Sequence, residues 1–193
     1  MAATGEDLLT TRALRLDSLS HFTLPVRDLD RSEFFYSEIL GADFIHRSDP
    51  DRVARGLAHS LQVHVRWGPV DISLFRQPYG EPTIEQAHPH HAFTTKGSLI
   101  DPWVDHFASW GITSVVVCRQ HGRRAEIKHG DKCSVELYFL DPDGNPLELD
   151  ASDYSFSDRV VWAPYDHWDV LYHGDRWWEE HKHRFAPHKA AGR

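Results

Sequence analysis

Three residues from distant parts of this 193-residue chain are of the types a divalent metal needs: His21, His90 and Glu148. His21 opens the run His21-Phe22-Thr23-Leu24-Pro25-Val26, and His90 opens a similar one, His90-His91-Ala92-Phe93-Thr94-Thr95. Both alternate as strands do, so His21 shares a face with Thr23, and His90 shares a face with Ala92. If the two segments pack by pseudo-symmetry, the imidazoles reach equivalent positions near the axis. Glu148, in Pro146-Leu147-Glu148-Leu149, projects away from its leucine neighbours. It can close a facial set of two nitrogens and one oxygen with coordination positions left open. Taken singly, each reads more readily as structure: the histidines as strand-end residues and Glu148 as a strand residue facing solvent.

The elements that must position these groups repeat. After the first run, Arg31 to Leu40 is amphipathic, with Phe34, Phe35, Ile39 and Leu40 near helical spacing, Asp28 or Asp30 as cap and Gly41 as stop. After the second, Asp101-Pro102 opens a helix lined by Trp103, Val104, Phe107 and Trp110 and ended by Gly111. Strand-like runs follow at 42–46, 61–67 and 71–76, and again at 113–117, 134–140 and 146–150. The order strand, helix, strand, strand, strand therefore occurs twice, with Asp143-Gly144-Asn145 as a hairpin turn between the last two strands. This predicts an α+β protein of paired βαβββ modules. The expected divisions are a lead at 1–18, a domain at 19–154 (modules 19–77 and 88–154, with a proline-rich linker over 77–89), and a tail at 155–193. The tail is aromatic: it holds four of the seven Trp and five of the 15 His.

Composition narrows the classes. Lys and Arg total 21 against 29 Asp and Glu, a formal net charge of −8. An acidic chain without a long basic run is a poor match for nucleic acid. No apolar stretch is long enough for a membrane helix, and the first twenty residues lack an apolar signal segment, so the expected location is the cytoplasm. Cys118 and Cys133 are the only cysteines, too few for a disulfide framework.

The double module order, His21 ahead of Val26-Arg27-Asp28-Leu29-Asp30-Arg31-Ser32, and Asp141-Pro142-Asp143-Gly144-Asn145-Pro146-Leu147-Glu148 together resemble the vicinal oxygen chelate superfamily. That superfamily includes glyoxalase I, fosfomycin and bleomycin resistance proteins, and type I extradiol ring-cleaving dioxygenases. Ile127-Lys128-His129, then Leu137-Tyr138-Phe139-Leu140-Asp141-Pro142-Asp143-Gly144 and Glu148, are similar to the extradiol signature in particular. The resemblance spans about residues 19–154 and implies that the two modules form one metal-binding, barrel-like domain. It implies His21, His90 and Glu148 as Fe(II) ligands, with Mn(II) the alternative ion and O2 the co-substrate. It implies His129 as a histidine bonding the substrate hydroxyl and Tyr138 as the tyrosine at the deprotonating catechol oxygen. A catechol must lose protons to chelate a metal, and a cation with hydrogen-bond donors stabilises that anion. The single-domain size resembles the L-DOPA 2,3-dioxygenases, which makes L-DOPA the leading substrate expectation, in a homodimer.

Two departures stand out. The His90-His91 pair leaves the ligand open to a one-residue slip, with His90 favoured by alignment to His21. Val70 stands where the family's fourth-strand acid–base histidine is expected, so His64, His91 or a tail histidine would have to deliver protons. A metal-dependent isomerase or thiol transferase, and a non-catalytic drug-binding protein, are the competing readings.

Overall fold

The computed structural model describes residues 20–56, 61–76, 90–118, 124, 126–162 and 174–189. The first module begins with β1 (His21–Val26), whose even-numbered residues Leu24 and Val26 are buried while His21 and Thr23 are exposed. Asp28 caps the following helix α1 (Leu29–Phe34), its carboxylate accepting from the backbone N–H groups of Asp30 and Arg31. A wider π turn, Phe35–Ile39, continues α1 and lets Phe35, Tyr36 and Ile39 all reach the core. Gly41 ends it at φ +70°, a left-handed conformation that costs glycine little. Next come β2 (Asp43–Arg47), a short helix α2 (Pro50–Ala54), β3 (Gln62–Trp67) and β4 (Val70–Arg76).

The second module follows the same plan: β5 (His91–Thr94), α3 (Ile100–Ser109), β6 (Val115–Cys118), β7 (Lys132–Leu140) and β8 (Pro146–Ser155). Two further elements are β9 (Val160–Trp162) and α4 (Arg176–His181). One sheet has the order β1-β4-β3-β2 and the other β5-β8-β7-β6-β9. In each, the first strand runs parallel to the last strand of its module. The βαβββ repeat is thus present twice. The two sheets are not hydrogen-bonded into one closed barrel among the described residues.

Each sheet turns one face to a shared core. Val63, Val65, Ile72 and Leu74 of the first join Leu137, Phe139, Leu147 and Leu149 of the second, with Phe34, Phe35 and Phe107 from the helices. Phe22 stacks on His91 at 4.3 Å between ring centres, and Trp67 meets Phe93 at 4.5 Å, so this core runs across the β1–β5 junction. Residues one position along the strands point the other way, and these are the polar ones. Gly97, just after β5, passes so close to β8 that a Cβ would overlap the backbone of Tyr154.

The region expected to be a tail is partly structural. β8 runs on to Ser155, and β9 adds an edge strand parallel to β6. Residues 174–189 pack on the first module: Trp177 is 1% exposed and stacks on Phe34, and Phe185 meets Phe34 edge-on. The linker 77–89 lies outside the described residues.

Candidate metal centre

The site grows from the β7–β8 hairpin. Asp141 turns its carboxylate back on the loop, accepting from the N–H groups of Asp143 and Asn145, while Gly144 adopts φ +85°. That turn fixes an antiparallel register in which Tyr138 lies opposite Glu148 and Glu136 opposite Asp150. Residues paired in this way share a face, so the four side chains project together. The parallel β5–β8 register puts Ala92 beside Glu148, on the same face as His90, which lies just before β5.

The resulting geometry is tight. His90 Nε2 is 3.0 Å from Glu148 Oε2, and the Tyr138 ring stands edge-on to the His90 ring with centres 6.0 Å apart. The Tyr138 hydroxyl donates to Glu136 Oε2 at 2.9 Å. Oxygens of Glu136, Glu148 and Asp150 all lie within 4.8 Å of one another. Glu148 is 3% exposed, and its Oε2 accepts no hydrogen bond despite the nearby imidazole. Burial pushes the Glu148 carboxyl up to about 7, and Asp150 and Glu136 add to this against a hydrogen bond from Tyr138. A buried carboxylate oxygen without a proton donor, next to an imidazole nitrogen, fits a site for a divalent ion. Nitrogen and oxygen donors with no thiolate suit Fe(II), Mn(II) or a similar ion.

The structure brings His90, Glu148 and Tyr138 together. It does not gather His21 with them within the span a single ion needs. His21 lies on the first sheet, opposite Asp71 across the β1–β4 pair, and bonds Ser20 Oγ through Nδ1 at 3.3 Å. His64, opposite Ser73 on the same face, is held below its ordinary range by burial and by the nearby His46 and His21. His129 is exposed in the turn before β7, where Lys128 N–H bonds Asp131, and it makes no hydrogen bond to the His90–Glu148 pair. His91 turns to the core side against Phe22, and burial lowers its pKa.

Two carboxylates at the site, Glu136 and Asp150, were not singled out from sequence. The signal was there: each lies two residues from a candidate, Tyr138 or Glu148, and a strand puts such neighbours on one face. The fourth-strand position beside His21 is Asp71, not Val70, because the β1–β4 register pairs His21 with Asp71.

The model of the Glyoxalase/Bleomycin resistance protein/Dioxygenase superfamily matches residues 18–149, and the chain belongs to that superfamily. The chain is 28% identical over 144 residues to glutathione transferase FosA of Serratia marcescens, covering 69% of this chain and 80% of the relative. It is 27% identical over 143 residues to biphenyl-2,3-diol 1,2-dioxygenase 3 of Rhodococcus globerulus, covering 71% of this chain and 64% of that enzyme. Among solved structures it is similar to a glyoxylase/bleomycin resistance protein/dioxygenase domain from Frankia sp. EAN1pec, with TM-score 0.54 and 22% identity over 72% of this chain and 93% of the other. The fosfomycin resistance protein FosX of Listeria monocytogenes, solved with Mn(II) and sulfate, gives TM-score 0.51 at 22% identity over 71% of this chain and 93% of the other. These two structural likenesses concern the fold.

Proposed function

We propose that this protein is a divalent-metal-dependent enzyme, an Fe(II) extradiol dioxygenase that opens a catechol ring beside its two hydroxyls. The observation that carries the reading is the trio His90, Glu148 and Tyr138: a nitrogen and a carboxylate 3.0 Å apart, with a phenol hydroxyl on the same face. His90 and Glu148 would hold the ion; His21, the third ligand that the resemblance implies, stands apart from them on the first sheet and would have to come from a second copy of the chain. A bound ferrous ion would supply positive charge for the catecholate and a redox partner for O2.

The chain's own residues do the rest. Tyr138 presents its hydroxyl toward the carboxylates and serves as a donor to the substrate oxygen beside the ion, stabilising the anion formed on deprotonation. The resemblance implies His129 as a second donor to the substrate hydroxyl, although here it stands exposed in the turn before β7, away from the Tyr138 end of the strand. His64, which burial and neighbouring imidazoles keep neutral, can accept a proton on the His21 side. L-DOPA is the leading substrate on chain size and general similarity. The likeness to the biphenyl-diol dioxygenase keeps aryl catechols in the panel. The reading includes a homodimer, for which sedimentation velocity should give twice the chain mass.

One observation favours a second reading, a metal-dependent thiol transferase of the same superfamily: glutathione transferase FosA is matched over a larger share of its own length than the dioxygenase is. An oxygen electrode separates the two. Iron-loaded protein should take up O2 with at least one of L-DOPA, catechol or 2,3-dihydroxybiphenyl and leave fosfomycin untouched. Bound iron with no O2 uptake, together with loss of fosfomycin, would replace the first reading by the second.

A further inference from the structure

The last described segment, 174–189, lies beyond the residues that match the superfamily, yet it reaches the hairpin that carries the candidate site. Arg31 of α1 makes the link. Its side chain is 10% exposed and ends in two carboxylates: Nη2 bonds Asp143 Oδ1 at 2.7 Å, and Nη1 bonds Asp175 Oδ2 at 2.6 Å. Asp143 is fully buried and sits in the β7–β8 turn. Its two oxygens also accept from Arg27 N–H at 3.1 Å and from Ser32 Oγ at 3.2 Å. The next residue but one, Asn145, donates through Nδ2 to the Pro25 carbonyl at 3.2 Å. The turn is therefore clamped to the end of β1 and the start of α1, and the Arg31 guanidinium is held from outside by Asp175.

We propose that Asp175 is a positioning residue for the metal centre, acting through Arg31 and Asp143 on the β7–β8 hairpin. Tyr138 is two residues from the β7 end of that turn and Glu148 two residues from its β8 end, a rise of only about 7 Å on each strand. A guanidinium with one carboxylate released can rotate, which loosens its bond to Asp143 and widens the play of the turn. The fork geometry of arginine makes the pairing directional, so an amide in place of Asp175 is not equivalent. The packing that brings Asp175 there is specific to this segment: Trp177 and Phe185 seat α4 on Phe34, and Glu33 accepts from His188 N–H at 2.9 Å.

This inference rests on the metal reading of His90 and Glu148, and Mn(II) alone tests it, followed by loss of the free-ion electron paramagnetic resonance signal. The wild-type chain should bind one Mn(II). Asp175→Asn should bind it about three- to thirtyfold more weakly, and Asp175→Glu should restore most of the affinity. Val160→Ala, a buried β9 position outside this relay, controls for general loss of stability. It should lower the melting temperature and keep the wild-type Mn(II) affinity. Unchanged affinity in Asp175→Asn would overturn the proposal, as would a loss that Val160→Ala reproduces at equal melting temperature. A wild-type chain that binds no Mn(II) would overturn the metal reading itself, and with it this inference. Wild-type binding with an insensitive Asp175→Asn would leave the metal reading standing.

Discussion

His90 Nε2 lies 3.0 Å from Glu148 Oε2, and that oxygen accepts no hydrogen bond. An imidazole nitrogen this close to a buried carboxylate oxygen is the donor set a shared divalent cation takes. Glu148 is almost wholly buried, and a carboxylate oxygen taken out of water without a proton donor is costly. A bound cation removes that cost.

Glu148→Ala should therefore abolish most metal uptake, weakening binding by more than about 100-fold, since two neutral imidazoles hold a divalent ion poorly. Metal analysis after equilibrium dialysis measures this. One tightly held ion per chain in the variant would contradict the assignment.

Tyr138→Phe should keep the metal and slow turnover by about 10- to 100-fold, the worth of one hydrogen bond to a charged oxygen. The loss should fall on kcat more than on metal affinity, because the hydroxyl is a donor near the ion and not one of its ligands. An unchanged rate would return Tyr138 to a packing role against Val115, Val117 and Leu140.

The hairpin turn gives a pH dependence free of the metal. Burial raises the Asp141 carboxyl from 3.8 to about 6, against hydrogen bonds from Asn145 and Asp143. Between these values the folded chain holds a proton that the unfolded chain has lost. Stability from this group is thus complete below about pH 4 and falls as pH rises through 6. Asp141→Asn should flatten the fall in melting temperature between pH 4 and 7 while lowering it overall, because the amide cannot accept from all of the present donors. Scanning calorimetry across that range checks the slope.

Trp177→Ala should cost about 3–5 kcal/mol, the range for emptying a large buried aromatic site. Trp177 is 1% exposed and packs on both Phe34 and Phe35. Urea unfolding measures the loss. A variant as stable as wild type would show that 174–189 does not belong to the core.

Much of this was legible in the sequence because strand alternation is a local property. His21 and Thr23, His90 and Ala92, and Leu147-Glu148-Leu149 each declare a face, and the Asp-Pro-Asp-Gly-Asn run declares the hairpin. Register and long-range packing are not local. Nothing within Val70-Asp71 states which residue will lie opposite His21, since hydrogen bonding between β1 and β4 decides it. The carboxylates of Glu136 and Asp150 become neighbours only once β7 and β8 pair. The polar composition of 174–189 concealed its anchoring, which rests on a few large rings and on Arg31, a residue more than 140 positions away. The relation of His21 to the His90–Glu148 pair depends on how the two modules meet, and no periodicity encodes that.

The most direct measurement is a crystal grown with Mn(II), read by anomalous scattering at the manganese edge. One strong peak is expected within bonding distance of His90 Nε2 and a Glu148 oxygen, with His21 of a second copy as a third ligand. A peak held by Glu136 and Asp150 without His90, or no peak at the β7–β8 face at all, would contradict it.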